Sequence, residues 1–364
     1  MLQRARSTVS SGRLPHVAVV VPCYNYGRYL QDCIESIISQ PQVTTNVHIL
    51  DDASTDGSVA TAEQMVSRYP NVRLSRHTDN RGHIATYNEG LSQVDSDYVV
   101  LLSADDMLAP GSLSRAAALM EANPQVGLVY GHPQAFTTSP HAGRTKSRHW
   151  SVWPGPSWIS AQFRRGLGII ASPEAVVRTS IQHRVGYYRP ELPHSGDLEM
   201  WLRIADVASV GRINGVDQAY RRVHNDSMMQ TSYGNLLTDL EERVRAYKTF
   251  LMHSGLNEGI KRSLLATVCR RMAIESLRWA TIEAKKPLPN FLEISKALQF
   301  SAKVFDNFTD LNAYQSFIAS ADESLRNDLG LFNNATDSFK AWRGYIEGEL
   351  GDRLRWRRWR IFGI

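Results

Sequence analysis

The chain has 364 residues, 43% of them hydrophobic and 21% charged, a balance that buries a full core, excludes a disordered chain and leaves room for more than one domain. Its three cysteines, Cys23, Cys33 and Cys269, are odd in number and form no CxxC pair, which argues against a disulfide framework or a zinc knuckle and for a reducing cytosol. The net charge of +5 suits nucleic acid, an anionic membrane or phosphorylated ligands, and much of the excess lies at the C-terminal end.

Residues 1–14 read as an N-terminal tail. The apolar run 17–21 is too short for a signal-peptide core and reads as a strand, and no stretch is long enough to span a bilayer. From 17 to 130, runs rich in β-branched residues (17–21, 47–52, 72–76, 98–106, 126–130) alternate with helical patterns (29–40, 59–69, 84–93, 111–123). That alternation predicts an α/β fold with a mostly parallel sheet, whose ligands bind beyond the C-terminal strand ends. Polar residues follow each strand: Pro22-Cys23-Tyr24-Asn25, then Asp51-Asp52-Ala53-Ser54, then Asn80-Arg81-Gly82, then Ser103-Ala104-Asp105-Asp106. Residues 137–165, rich in Ser, Pro, Gly, Trp and Arg, read as a long irregular connection, either a substrate-side loop or a surface insertion; Trp150, Trp153 and Trp158 lean towards a binding surface. After about Thr231 the period becomes helical without strands, so a boundary is expected there.

No GxGxxG follows the first strand, which excludes a dinucleotide-binding dehydrogenase site. Pro22 and Tyr24 offer instead a fixed backbone angle and an aromatic face for a base, or simply a local turn. Either Asp51 or Asp52 could accept hydrogen bonds from a base or ribose, while Asp56 or Ser58 caps the next helix. Asp105 and Asp106 place two carboxylates at a strand end, where hard oxygens suit magnesium or manganese on a diphosphate. Asp197 opens an amphipathic helix as a general base or a helix-dipole aspartate, and Glu199 at helical spacing points elsewhere. His224 could complete a metal site, and Arg221 and Arg222 could hold phosphate.

The segments VPCYNYGRYL, LDDASTDGS, NRGHIATYNEG, YVVLLSADD, GDLEMWLR and YRRVH stand in the order and spacing of the family-2 glycosyltransferases, and the chain resembles that family over residues 15 to 230. The resemblance implies a GT-A fold over 15–230, followed by a helical region from 231 to 364. It implies that Pro22, Tyr24, Asn25, Asp51 or Asp52, Asn80, Ala104 and Asp105 line a nucleotide-sugar pocket. SADD would be this chain's form of the DXD motif, with Ser103 in place of the first aspartate. Asp197 would be the catalytic base, and Asp105 with His224 would hold Mn2+ or Mg2+, with Asp106, Glu199, Arg221 and Arg222 in support. The implied reaction is an inverting hexosyl transfer from a nucleotide-diphosphate-sugar to a glycan or lipid-linked acceptor in cell-envelope polysaccharide synthesis. A degenerate binder without turnover is the alternative.

The last fourteen residues, GDRLRWRRWRIFGI, combine five arginines with Trp356, Trp359 and Phe362. That composition suits anionic headgroups at the inner face of a cytoplasmic membrane more than nucleic acid, or it packs on a partner subunit. The helices beyond 231 would form a homo-oligomer interface or cover the catalytic domain.

Overall fold

Strand β2 (His16–Cys23) carries the run VAVVV and lies between two parallel partners, β3 (Thr44–Asp51) and β5 (Tyr98–Leu101). A strand paired on both edges and covered on both faces is apolar throughout, which is why this run does not alternate. In the computed structural model, which describes residues 2–4, 12–224, 235–321, 325, 326 and 329, β4 (Val72–Arg76) continues the parallel set beyond β3. Helices α1 (Gly27–Ile38), α2 (Ser58–Arg68) and α3 (His83–Ser92) are the crossovers between these strands.

The other half of the ten-stranded sheet is mixed. Leu2–Arg4 (β1), Met107–Leu108 (β6), Val126–Phe136 (β7), Thr145–Trp153 (β8), Val176–Arg178 (β9) and Ser209–Arg222 (β10) complete the order β1-β8-β10-β7-β9-β5-β2-β3-β4, with β6 on β10. β10 runs parallel to β7, whereas β9 is antiparallel to both β5 and β7 and so joins the two halves. Helices α4 (Ser112–Ala122), α6 (Thr179–Val185) and α7 (Gly196–Val207) lie between these strands in the sequence.

The stretch 137–165 departs from the expected irregular connection. It forms β8, antiparallel to β10, and α5 (Gly155–Arg165). Trp150 is 2% exposed and Trp158 3%, so both tryptophans pack inward and do not present a binding surface. Trp150 pairs with Ile213 of β10, some sixty residues later in the chain, a partner that local composition cannot announce.

Two compact units result, residues 1–159 with 168–231, and 160–167 with 232–364. In the second, α8 (Leu236–His253), α9 (Glu258–Ala284) and α10 (Phe291–Val304) each start at an asparagine whose side chain accepts a backbone N–H: Asn235 from Leu237, Asn257 from Ile260 and Asn290 from Glu293. Ala273, Leu277 and Leu311 centre its core, beside α11 (Asn312–Ser320). No described helix is long and apolar enough to cross a membrane. The basic aromatic tail, 353–364, lies outside the described residues.

Candidate active site

The turns after β2 and β3 are tied together. Asn25 and Ala53 both take left-handed backbone angles, φ 60 and φ 63, where L residues are uncommon outside functional turns. Asn25 N–H donates to Ser54 Oγ at 2.9 Å, and Asn25 Oδ1 accepts from Thr55 N–H at 2.8 Å. Asp56 Oδ2 accepts from Gly27 N–H at 3.1 Å and its Oδ1 from Ser58 N–H at 2.9 Å, so one carboxylate serves the first turns of both α1 and α2. Burial pushes Asp56 up, but the Ser58 and Gly27 donors outweigh it and leave the group below the ordinary aspartate range. Next to this knot, the Tyr24 ring is 46% exposed, an open aromatic face.

The two aspartates that end β3 have different surroundings. Asp52 accepts from His77 Nδ1 at 2.6 Å and from the N–H groups of Arg81 and Gly82 at 2.8 and 3.0 Å. Burial again pushes upward, and His77 with these two backbone donors outweighs it, holding Asp52 low. Its oxygens are therefore spent on shaping the turn that carries Asn80, whose own Oδ1 accepts from Gly82 N–H at 2.9 Å. Asp51 is 1% exposed; Oδ1 accepts from Ser54 N–H at 3.0 Å, and Oδ2 is buried with no hydrogen-bond partner. A buried carboxylate oxygen without a donor is costly unless a ligand supplies one.

At the end of β5, the SADD turn is clamped by β10. Arg222 N–H donates to Asp106 Oδ1 at 2.8 Å and Arg222 Nε to the Asp105 carbonyl at 3.0 Å. The same guanidinium lies 4.4 Å from the Tyr29 ring centre and 4.5 Å from that of Phe136. Arg222 thus holds the loop, whereas Arg221 is exposed. Burial, reinforced by the adjacent Asp105 charge, raises Asp106 well above its ordinary value, opposed by the Arg222 N–H.

Asp105 faces the other way. Its Oδ2 lies 3.0 Å from His224 Nε2, and the imidazole sits among Tyr26 and Tyr29 with ring centres 5.6 and 5.2 Å away. Among the described residues no group of three or more His, Cys, Asp and Glu forms a metal cage. Asp105 and His224 would offer a divalent ion an oxygen and an imidazole donor, both of kinds that manganese accepts.

Asp197, in the first turn of α7, is held through both oxygens: Oδ2 accepts from Ser172 Oγ, and Oδ1 from Tyr188 Oη at 2.6 Å. Tyr188 is itself fixed by Asn88 of α3, which accepts from its N–H and donates to its carbonyl, each at 2.8 Å. A small cavity of about 70 Å³ is lined by Pro22, Tyr87, Ser103, Ser172, Tyr188 and Asp197. Glu199, one residue past Leu198, turns inward to 0% exposure and pairs with Arg189 at 2.9 Å and Arg203 at 2.8 Å, so it braces α7 and does not support the chemistry. Ala104, within the SADD turn, is fully buried. Ser172, Tyr188 and His77 had no signal in the sequence beyond residue type, because each reaches its aspartate from a separate loop.

Residues 18–179 match the family model described as glycosyl transferase family 2. Chondroitin synthase of Pasteurella multocida (strain Pm70) is 24% identical over 227 residues, 62% of this chain and 22% of that one. The chain spans from 21% to 62% of the length of such curated relatives. Among solved structures, S. aureus TarS 1–349 in complex with UDP-GlcNAc aligns with a TM-score of 0.62 at 18% identity, covering 92% of each chain. Mannosyltransferase PcManGT from Pyrobaculum calidifontis, in complex with GDP-Man and Mn2+, aligns with a TM-score of 0.52 at 15% identity, covering 92% of this chain and 87% of that one. These structural likenesses show a shared GT-A fold.

Proposed function

We propose that this chain, a member of glycosyl transferase family 2 through residues 18–179, is an active inverting hexosyltransferase that moves a sugar from a nucleotide-diphosphate donor to a glycan or lipid-linked hydroxyl. The observation that carries this reading is the shared cavity. Pro22 and Ser103 from the strand ends and Asp197 from α7 line one space, with the unpartnered Asp51 Oδ2 at the neighbouring strand end.

The base and ribose are assigned to Tyr24 and Asp51, an exposed aromatic face beside an acceptor in need of a donor, with Asn80 at the rim. Asp197 takes the proton from the acceptor hydroxyl; the oxygen attacks the anomeric carbon, and the bond from that carbon to the diphosphate oxygen breaks with the electron pair leaving on the diphosphate. Such general-base assistance contributes on the order of 10²- to 10⁴-fold. The hydrogen bonds from Ser172 and Tyr188 fix the carboxylate for this step. Asp105 and His224 would hold a divalent ion, which when bound supplies charge to the diphosphate oxygens.

The relatives named chondroitin synthase and hyaluronan synthase support polysaccharide synthesis as the setting of the reaction, and the composition of the arginine- and tryptophan-rich segment 353–364 supports a place at the inner face of the cytoplasmic membrane. The test is a screen of UDP-, GDP- and dTDP-sugars for nucleotide release with added acceptor glycans, run beside Asp197→Asn. One donor consumed by the native chain, with kcat reduced about 10²-fold or more in the variant and KM nearly unchanged, is expected. Equal rates in the two proteins reject Asp197 as the base.

A further inference from the structure

The turn between α9 and α10 carries an apolar tip. Leu288 is 89% exposed, Ile282 and Leu292 64% each, and Phe291 43%, four large apolar side chains within eleven residues of the helix hairpin. Lys285 and Lys286 stand beside them, and Lys286 reaches back to Glu283 at 2.5 Å.

From this arrangement we infer that the hairpin tip seats in the surface of an anionic lipid bilayer. Three features favour lipid over protein as the occupant. The exposed apolar surface is on the order of a few hundred Å², well below the roughly 800 Å² per partner that a stable dimer needs. Its backbone is prepared for a medium without water: Pro287 and Pro289 have no N–H, Lys285 N–H donates to Ile282 O at 3.3 Å, Lys286 N–H to Glu283 O at 3.1 Å, and Asn290 N–H to Glu283 Oε1 at 3.4 Å. An N–H carried unpaired into an apolar layer would be penalised, and this turn removes or satisfies nearly all of its own. Lys286 lies between Ile282 and Leu288 in the sequence and stays 54% exposed while paired with Glu283, so a cation stands at headgroup level while Leu288 and Phe291 enter the acyl boundary.

This contact is independent of the transfer chemistry and of the C-terminal tail, and the test separates all three. The full chain, a chain ending at Asp352, Leu288→Ser, and the triple substitution Leu288→Ser with Phe291→Ser and Leu292→Ser are floated with vesicles of phosphatidylcholine alone or mixed with phosphatidylglycerol. The full chain is expected to partition onto the mixed vesicles. Leu288→Ser, at a site too exposed to affect folding, should weaken this about threefold and the triple substitution about tenfold or more, while the chain ending at Asp352 keeps its sensitivity to both. Partitioning of the triple variant equal to that of the full chain overturns the inference. So does a failure of the full chain to bind the mixed vesicles, including the case in which the substitutions abolish a concentration-dependent dimer instead.

Discussion

Glu174 sits in the 3-10 turn Ser172–Glu174, two residues from the hydroxyl that donates to Asp197, and is 2% exposed. Burial drives its carboxyl up to about 8, opposed by the Ala171 N–H and by Arg212, and its Oε2 has no partner. A carboxyl raised in the folded state gives stability that is fully present below its unfolded value near 4.5 and is lost as pH climbs through about 8. Thermal unfolding should therefore show a Tm that falls between pH 5 and pH 8 by an amount reflecting a few kcal/mol, and Glu174→Gln should flatten that slope. An unchanged slope in the variant removes Glu174 as its origin. At this scale the sequence identifies residue types at strand ends but not their partners. Nothing in the spacing of 172, 188 and 197 says that a serine and a tyrosine close on one carboxylate. Likewise, Asp51 and Asp52 are indistinguishable in the sequence until His77 and the Arg81 and Gly82 amides engage only one of them.

Among the elements, the starts of α1 and α2 are in close backbone contact beside the site. A Cβ added at Gly27 would lie 2.6 Å from Ser58 N and 2.7 Å from the Gly57 carbonyl carbon, both backbone atoms that have no rotamer to yield with. Gly27→Ala should cost about 1–3 kcal/mol, or about 2–4 °C of Tm per kcal/mol, and should loosen the Asn25–Ser54–Thr55 knot with it. Calorimetry of the variant with a bound nucleotide checks both effects; full stability with normal binding would show that the helix starts have room to part. Within the parallel core, β2 and β5 were legible because a twice-paired strand writes its burial into a continuous apolar run, whereas the edge strand β4, Val-Arg-Leu-Ser-Arg, was legible only from its place between helical patterns. β8 and α5 were not. Thr145–Trp153 owes its strand to β10, and its glycine, proline and serine neighbours read as breakers when taken alone.

On the scale of the whole molecule, the chain does not divide at a single cut. Residues 160–167 belong with 232–364, where the Phe163 ring lies 4.5 Å from Tyr247, Tyr247 Oη donates to the Gln162 carbonyl at 3.0 Å, and Arg243 donates to the Gly166 carbonyl at 2.8 Å. A chain ended at 231 retains Phe163, fully buried in the intact protein, without its aromatic partners. Such a truncation should bind hydrophobic dye and associate, whereas a monodisperse truncation with the native Tm would show that this helix end needs no cover. A change of hydrophobic period marks a boundary near 231, but a segment that returns to the later unit leaves no periodic trace.

The proposed transfer requires a nucleotide diphosphate at the strand ends and a divalent ion that Asp105 and His224 would hold. Calorimetric titration of UDP, GDP and dTDP, with and without manganese, into the native chain and Asp105→Ala tests it most directly. One nucleotide bound only with manganese, and lost in the variant, is the predicted result; absence of binding by all three, or manganese-independent binding that Asp105→Ala leaves intact, would contradict it.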